Sequence, residues 1–204
     1  QQAVLNSLAK AYRLACTAPM GLSYLSLDTG LQEATIDEDL EMPNMALLRY
    51  SDIPPIAAPE RSIQAAADLF IQANKPLVLG GRCGRLPGTT DILKELVEIT
   101  GSAFQEGKDV VNLATNHPQN MTGGFGASKE TKIRSEADLI LVVDNQDIAD
   151  MLGNYGAARG GGYGIILSES DGQNKKIIDL SLNDFSIDKW AAIGGALPPV
   201  DVHL

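Results

Sequence analysis

The chain reads as an α/β protein built on a parallel sheet flanked by helices, and two patterns in its sequence predict this. Short apolar runs of strand length recur between residues 76 and 182: "PLVLGG", "SAFQEG", "ADLILVVDN", "YGIILS" and "KKIIDLSL". Segments with helical spacing or turn residues separate them, "TTDILKELVEITG", "KETKIRSEA" and "QDIADML" among them. Strands that alternate with helices need crossover connections, which are right-handed and lay the strands parallel. The expected domain is therefore Rossmann-like and covers residues 61–204.

The elements follow in order. Between residues 3 and 16, Val4, Leu5, Leu8, Ala11, Tyr12 and Ala15 recur at helical spacing, and Pro19 with Gly21 ends the helix. "GLSYLSL" comes next, with Leu22 and Tyr24 on one face and Leu25 and Leu27 on the other, as in a strand buried on both sides. Residues 37–60 carry an acidic run together with Pro43, Pro54, Pro55 and Pro59 and show no sustained period, which predicts an extended linker. Residues 1–36 thus form one piece and 61–204 another. A helix opens after Pro59, with Ile63, Ala66, Ala67 and Phe70 expected inward. In the helix after the first strand of the domain, Ile92, Leu93, Leu96 and Val97 are expected inward.

Composition narrows the function classes. Of 204 residues, 44% are hydrophobic and 21% charged, which is globular composition. No apolar run approaches the roughly 20 residues that span a bilayer. The net charge of −10 repels phosphate backbones and anionic lipid, so nucleic acid and membranes are excluded as expected partners. Cys16 and Cys83 form no CxxC pair and no signal-peptide pattern precedes them, which predicts a reduced, cytoplasmic setting. The chain opens straight into a helix without Met, and a piece of a longer protein is expected.

Candidate chemistry gathers at glycines. In an open parallel sheet, ligands bind beyond the carboxyl ends of the strands, and Gly80 and Gly81 stand at such an end, with Arg82 and Arg85 next to them. Two readings stay open: a phosphate cradle, or a tight strand-to-helix turn with solvated arginines. Neither GxGxxG nor GxxxxGK[ST] occurs. "MTGGFG" offers Gly123, Gly124 and Gly126 in a second loop, again as a ligand contact or as plain loop. Asp144, Asp147 and Asp150 follow the strongest strand and read as a ribose or metal contact or as one exposed helical face. His117 and His203 lack zinc spacing and read as solvated loop residues. Cys83, flanked by arginines, has a setting that could lower its pKa, but no base partner is visible, so it reads as structural. No catalytic residue and no metal ligand is assigned.

In order and spacing the pieces resemble a known family. "AYRLACTAPMGLSYLSLDTGLQEA" is similar to the end of the pyrimidine-binding domain of thiamine-diphosphate-dependent enzymes, and "AADLFIQANKPLVLGGRCGR" to the opening of their central domain. "HPQNMTGGFGAS", "EADLILVVDNQD" and "KKIIDLSLND" fall where that domain has its glycine loop and later strands. The likeness spans nearly the whole chain and points to the acetolactate synthase and 2-oxo acid decarboxylase branch. It implies the tail of the first domain plus the central domain of an enzyme that uses thiamine diphosphate and Mg²⁺, assembles as a homo-oligomer, and carries its catalytic motifs in the pyrimidine- and diphosphate-binding domains that this chain lacks. Alone, the chain would be an inactive scaffold. By the same resemblance Gly80, Gly81, Arg82, Arg49, Gly123, Gly124 and Gly126 are the positions that would contact FAD or ADP. The family's Gly-x-Arg after the main strand is Asp144, Asn145 and Gln146 here, and the second aspartate of its final strand is Ser181, which makes a vestigial nucleotide site the leading expectation. A module that retains FAD or ADP, and a free-standing Rossmann-like domain, are the alternatives.

Overall fold

The computed structural model describes residues 2–18, 20–36, 40, 56–107, 110–123, 128–145, 148, 175–182 and 200–204. The chain divides into two compact units, Gln1–Ala57 and Ala58–Leu204.

In the first unit, α1 (Gln2–Cys16) takes the helical spacing read from the sequence and buries Ala9, while Leu8 and Tyr12 stay exposed. The strand expected at residues 21–27 does not form. That segment has no regular secondary structure, and Leu22 and Tyr24 are almost fully exposed. The physical reason is pairing: a strand needs a neighbour's amides and carbonyls, and no ladder exists among the described residues of this unit. The Ser23 hydroxyl instead donates to the Ala11 carbonyl at 2.8 Å. Asp28 then caps α2 (Thr29–Glu33), its Oδ1 accepting from the Gly30 amide.

The second unit is a parallel sheet with helices packed on it. Its elements are α3 (Glu60–Gln72), β1 (Pro76–Gly80), α4 (Thr89–Thr100), β2 (Ala103–Glu106), α5 (Ser128–Glu136), β3 (Leu139–Val143), β4 (Lys176–Leu180) and β5 (Val202–His203). The strand order is β2-β1-β3-β4-β5, every pairing parallel. Alternate strand residues serve two cores. Val78, Phe104, Leu139, Leu141, Val143 and Ile178 pack with Ala66, Leu93 and Val97, and Leu77, Leu79, Ile140, Val142 and Ile177 pack on the other face with Ala137 and the half-buried Ile133. A sheet covered on both faces requires near-continuous apolar strands, which is why β1 and β3 stood out in the sequence.

Helix faces differ in detail from the expected stripes. Ile63 and Ala67 are exposed, and Ala66, Leu69, Phe70 and Ala73 carry the inward side of α3. On α4, Leu93 and Val97 are buried and Leu96 packs against them, but Ile92 is exposed. Each helix keeps part of its expected stripe and turns one isoleucine flank, Ile63 or Ile92, toward solvent, because apolar residues occur beside the true face as well as on it. The two-residue strand β5 was not read from the sequence. The expected strand "YGIILS" lies outside the described residues, as does the expected helix "QDIADML" apart from Ile148, which packs against the second core.

Candidate functional site

The order β2-β1-β3 carries the chain outward to β2 and then back to the opposite side of β1. Strand direction out of the sheet therefore reverses between β1 and β3, and the crevice beyond their carboxyl ends is the place where open α/β sheets bind ligands. Gly80 and Gly81 end β1 there, and Asp144 follows β3.

Both glycines are explained by packing. A Cβ on Gly80 would lie 2.7 Å from Cζ of Phe104 and 3.0 Å from Nδ2 of Asn112. On Gly81 it would lie 2.6 Å from the carbonyl carbon of Asp144 and 2.8 Å from Cα of Asn145, both backbone atoms. The two chains run this close because the Gly81 amide donates to Val143 O at 2.8 Å and the Arg82 amide to Asp144 O at 2.9 Å, extending the β1–β3 ladder past the strand ends.

Both arginines are paired with a carboxylate, although Arg85 stays exposed. Nη2 of Arg82 lies 3.6 Å from Oδ1 of Asp144, and Nη2 of Arg85 lies 3.2 Å from Oδ2, so one carboxylate engages two guanidinium groups. Only 15% of the Arg82 side chain is exposed. Asp144 has φ 47°, a left-handed conformation uncommon outside glycine but tolerated by Asp and Asn. The expectation that Asp144 belongs to an exposed helical face with Asp147 and Asp150 is corrected for Asp144, which sits at the strand end; the other two lie outside the described residues, as do Arg49, Gly124, Gly126 and Gln146.

Asn112 and Glu106, neither singled out by sequence, tie the crevice together. Asn112 is completely buried. Its Nδ2 donates to Gly81 O at 2.9 Å and to Glu106 Oε2 at 2.6 Å, and its Oδ1 accepts from the Gly84 amide at 2.8 Å and from the Cys83 thiol at 3.1 Å. Glu106, at the end of β2, also accepts from the backbone amides of Asn112 and Leu113, both at 2.9 Å. The Glu106 amide donates to Thr122 Oγ1 at 2.8 Å, which brings the start of the second glycine loop to the end of β2. Gly123 follows there and is exposed. Of the expected contact positions, the fold thus brings Gly80, Gly81 and Arg82 to the switch point and Gly123 to the neighbouring strand end.

Cys83 is pushed up to about 11, first by burial of the thiol and then by the facing carboxylate of Asp144. The lowered pKa that the flanking arginines could have produced is overturned, because their charge is already engaged by Asp144. His117 is also corrected. Its side chain is 9% exposed, Nε2 lies 3.3 Å from Glu98 Oε1, and Nδ1 accepts from the Gln119 amide. His203 is half exposed and lies 3.7 Å from the buried Asp179. No group of three or more His, Cys, Asp or Glu side chains arranged to hold a metal ion occurs among the described residues. No described helix is long and apolar enough to cross a membrane.

Fold and site together define an α/β unit with a flavodoxin-like strand order and an internally bonded switch point. No protein-family model matches the chain, and no curated protein matches it in sequence. Among solved structures, it is similar to a protein of Mycobacterium smegmatis described as a candidate thiamin diphosphate-dependent enzyme, with a TM-score of 0.62 and 18% identity. The match covers 99% of this chain and 34% of that one, so the chain spans about a third of its neighbour's length.

Proposed function

We propose that this chain is part of a thiamin diphosphate-dependent enzyme acting on a 2-oxo acid or related carbonyl substrate, in which residues 58–204 act as a scaffold between catalytic domains. The observation that carries this reading is the extent of the structural likeness, which takes in 99% of the chain at a third of the neighbour's length. The ordered sequence resemblance described above supports it independently. When bound, thiamin diphosphate supplies the nucleophilic ylid that attacks the substrate carbonyl. None of the described residues is assigned a catalytic or metal-binding part, and the acidic constellation a divalent ion needs does not occur among them.

What this chain supplies in that reading is rigidity. Two apolar cores on opposite faces of one sheet, and a switch point fastened by Asn112, Glu106 and Asp144, make a unit suited to holding neighbouring domains in register. The complete protein would bind thiamin diphosphate with Mg²⁺ and work as a cytoplasmic homo-oligomer of the acetolactate synthase or decarboxylase type. The test compares the complete gene product with these 204 residues. The complete protein should bind thiamin diphosphate in a titration followed by circular dichroism and release CO₂ from a 2-oxo acid such as pyruvate, and the chain alone should do neither. A complete protein that fails to bind thiamin diphosphate would refute the assignment, and turnover by the chain alone would refute the scaffold role.

A further inference from the structure

The resemblance implies FAD or ADP at the switch point, and the residues present do not fit such a ligand. We propose that Asp144 is an internal anion that holds Arg82 and Arg85 where a nucleotide diphosphate would otherwise engage them, closing this crevice to FAD and ADP.

Three sets of observations carry the proposal. A strand-end turn binds phosphate through backbone amides that point out of the fold. Here those amides are engaged inward: Gly81 donates to Val143 O, Arg82 to Asp144 O, Gly84 to Asn112 Oδ1 and Gly107 to Gly80 O. Close ligand approach needs the space that a glycine leaves free, yet the space beside Gly81 is taken by the Asp144 carbonyl and Asn145 Cα, and that beside Gly80 by the Phe104 ring. Cationic groups are the third requirement, and the Nη2 atoms of both nearby arginines face opposite oxygens of the same carboxylate. A phosphate arriving there would have to displace Asp144 from two charge-assisted contacts while lying beside its negative charge. The left-handed backbone at Asp144 serves this arrangement, turning the chain at the end of β3 so that its carboxylate comes to lie beside the turn after β1.

The inference uses only the geometry around β1 and β3, so its failure and that of the thiamin reading are distinguishable. The test is isothermal titration of the whole chain with ADP and with inorganic pyrophosphate, for the wild type and for Asp144→Asn. Asn tolerates the same positive φ, so the backbone is kept while the charge is removed. The wild type should show no saturable binding at millimolar ligand. The variant should gain pyrophosphate affinity of about tenfold or more, falling with added salt, because two guanidinium groups are released from their carboxylate. Saturable ADP binding by the wild type would overturn the closure, and a folded variant that binds no better than wild type would overturn the part given to Asp144. If Asp144→Asn precipitates, Asp144→Gly fits the same backbone and carries the same two outcomes. If that also precipitates, the wild-type titration decides: binding overturns the closure and its absence supports it.

Discussion

Replacing Asn112 by Ala tests whether the switch point is held by one side chain. Asn112 is fully buried, and truncation leaves three backbone groups without the partner it supplies: the Gly81 carbonyl, which accepts from Nδ2 at 2.9 Å, the Gly84 amide, which donates to Oδ1 at 2.8 Å, and the half-buried Val110 carbonyl, which accepts from Nδ2 at 3.1 Å and can turn to water. Glu106 is buffered against the loss, since the backbone amides of residues 112 and 113 still donate to it. Each stranded buried group costs about 1–3 kcal/mol, so the variant should lose roughly 2–5 kcal/mol. With an m-value of about 2 kcal/mol/M, the urea midpoint followed by circular dichroism at 222 nm should fall by roughly 1–2.5 M. The isosteric Asn112→Asp separates chemistry from volume. It keeps the acceptor but sets a second carboxylate against Glu106, where the present contact is 2.6 Å. It should therefore be less stable than wild type at pH 7 although the side-chain volume is unchanged. A midpoint change below about 0.3 M for Asn112→Ala would refute the claim that this residue fastens the crevice.

Other variants probe the same architecture. Gly81→Ala should abolish cooperative unfolding or solubility, since its Cβ meets Asp144 and Asn145 backbone that cannot rotate away; Gly88→Ala, with open space but φ 83°, should cost only about 1 kcal/mol in the same melt. At Asp138, burial acts to raise the carboxyl pKa, but hydrogen bonds led by the Asn74 and Lys75 amides, at 2.8 and 2.9 Å, hold it lowered overall. A depressed folded pKa stabilises above the unfolded value of about 3.9 and loses that contribution as pH falls through the folded value. Asp138→Asn should thus be less stable than wild type at pH 7, and the gap should narrow in melts taken at pH values lowered progressively below about 3.9. For Cys83, a thiol at about 11 is almost wholly protonated at pH 8, so alkylation by iodoacetamide should accelerate on the order of a hundredfold when the chain is unfolded in urea. Equal rates in the two states would refute the buried, protonated thiol.

Strand identity was the most legible feature of this sequence, and the reason lies in burial. β1 and β3 are covered on both faces, which requires the uninterrupted runs "LVLG" and "LILVV". Helix existence was equally clear, while helix orientation was not: Ile63 and Ile92 are exposed although both are strongly apolar, because each stands at the flank of the stripe that packs on the sheet. "GLSYLSL" failed for another reason. Its alternation describes a segment suited to a covered sheet, but a ladder depends on a partner strand, and alternation within one segment carries no information about the partner. Asn112 was invisible because nothing in "DVVNLATNHPQN" distinguishes an asparagine that bridges two strand ends from one that faces water.

A glycine pair at the end of a parallel strand has two physical origins that look the same in sequence. One keeps space for a ligand, and the other lets two stretches of backbone cross. What separates them is the atom that an added Cβ would meet. For Gly81 it is the main chain of Asp144 and Asn145, held there by hydrogen bonds from Gly81 and Arg82, so the missing side chain is required by the fold itself. The same crossing sets the charge chemistry. Once the chain after β3 passes this close to β1, the residue at its turn must adopt a left-handed backbone, and a short carboxylate there reaches both arginines that follow the glycines. Arg82, Arg85 and Asp144 therefore belong to one arrangement, set by the approach of the two strand ends. The carboxylate and the two guanidinium groups offset one another within the partly buried crevice.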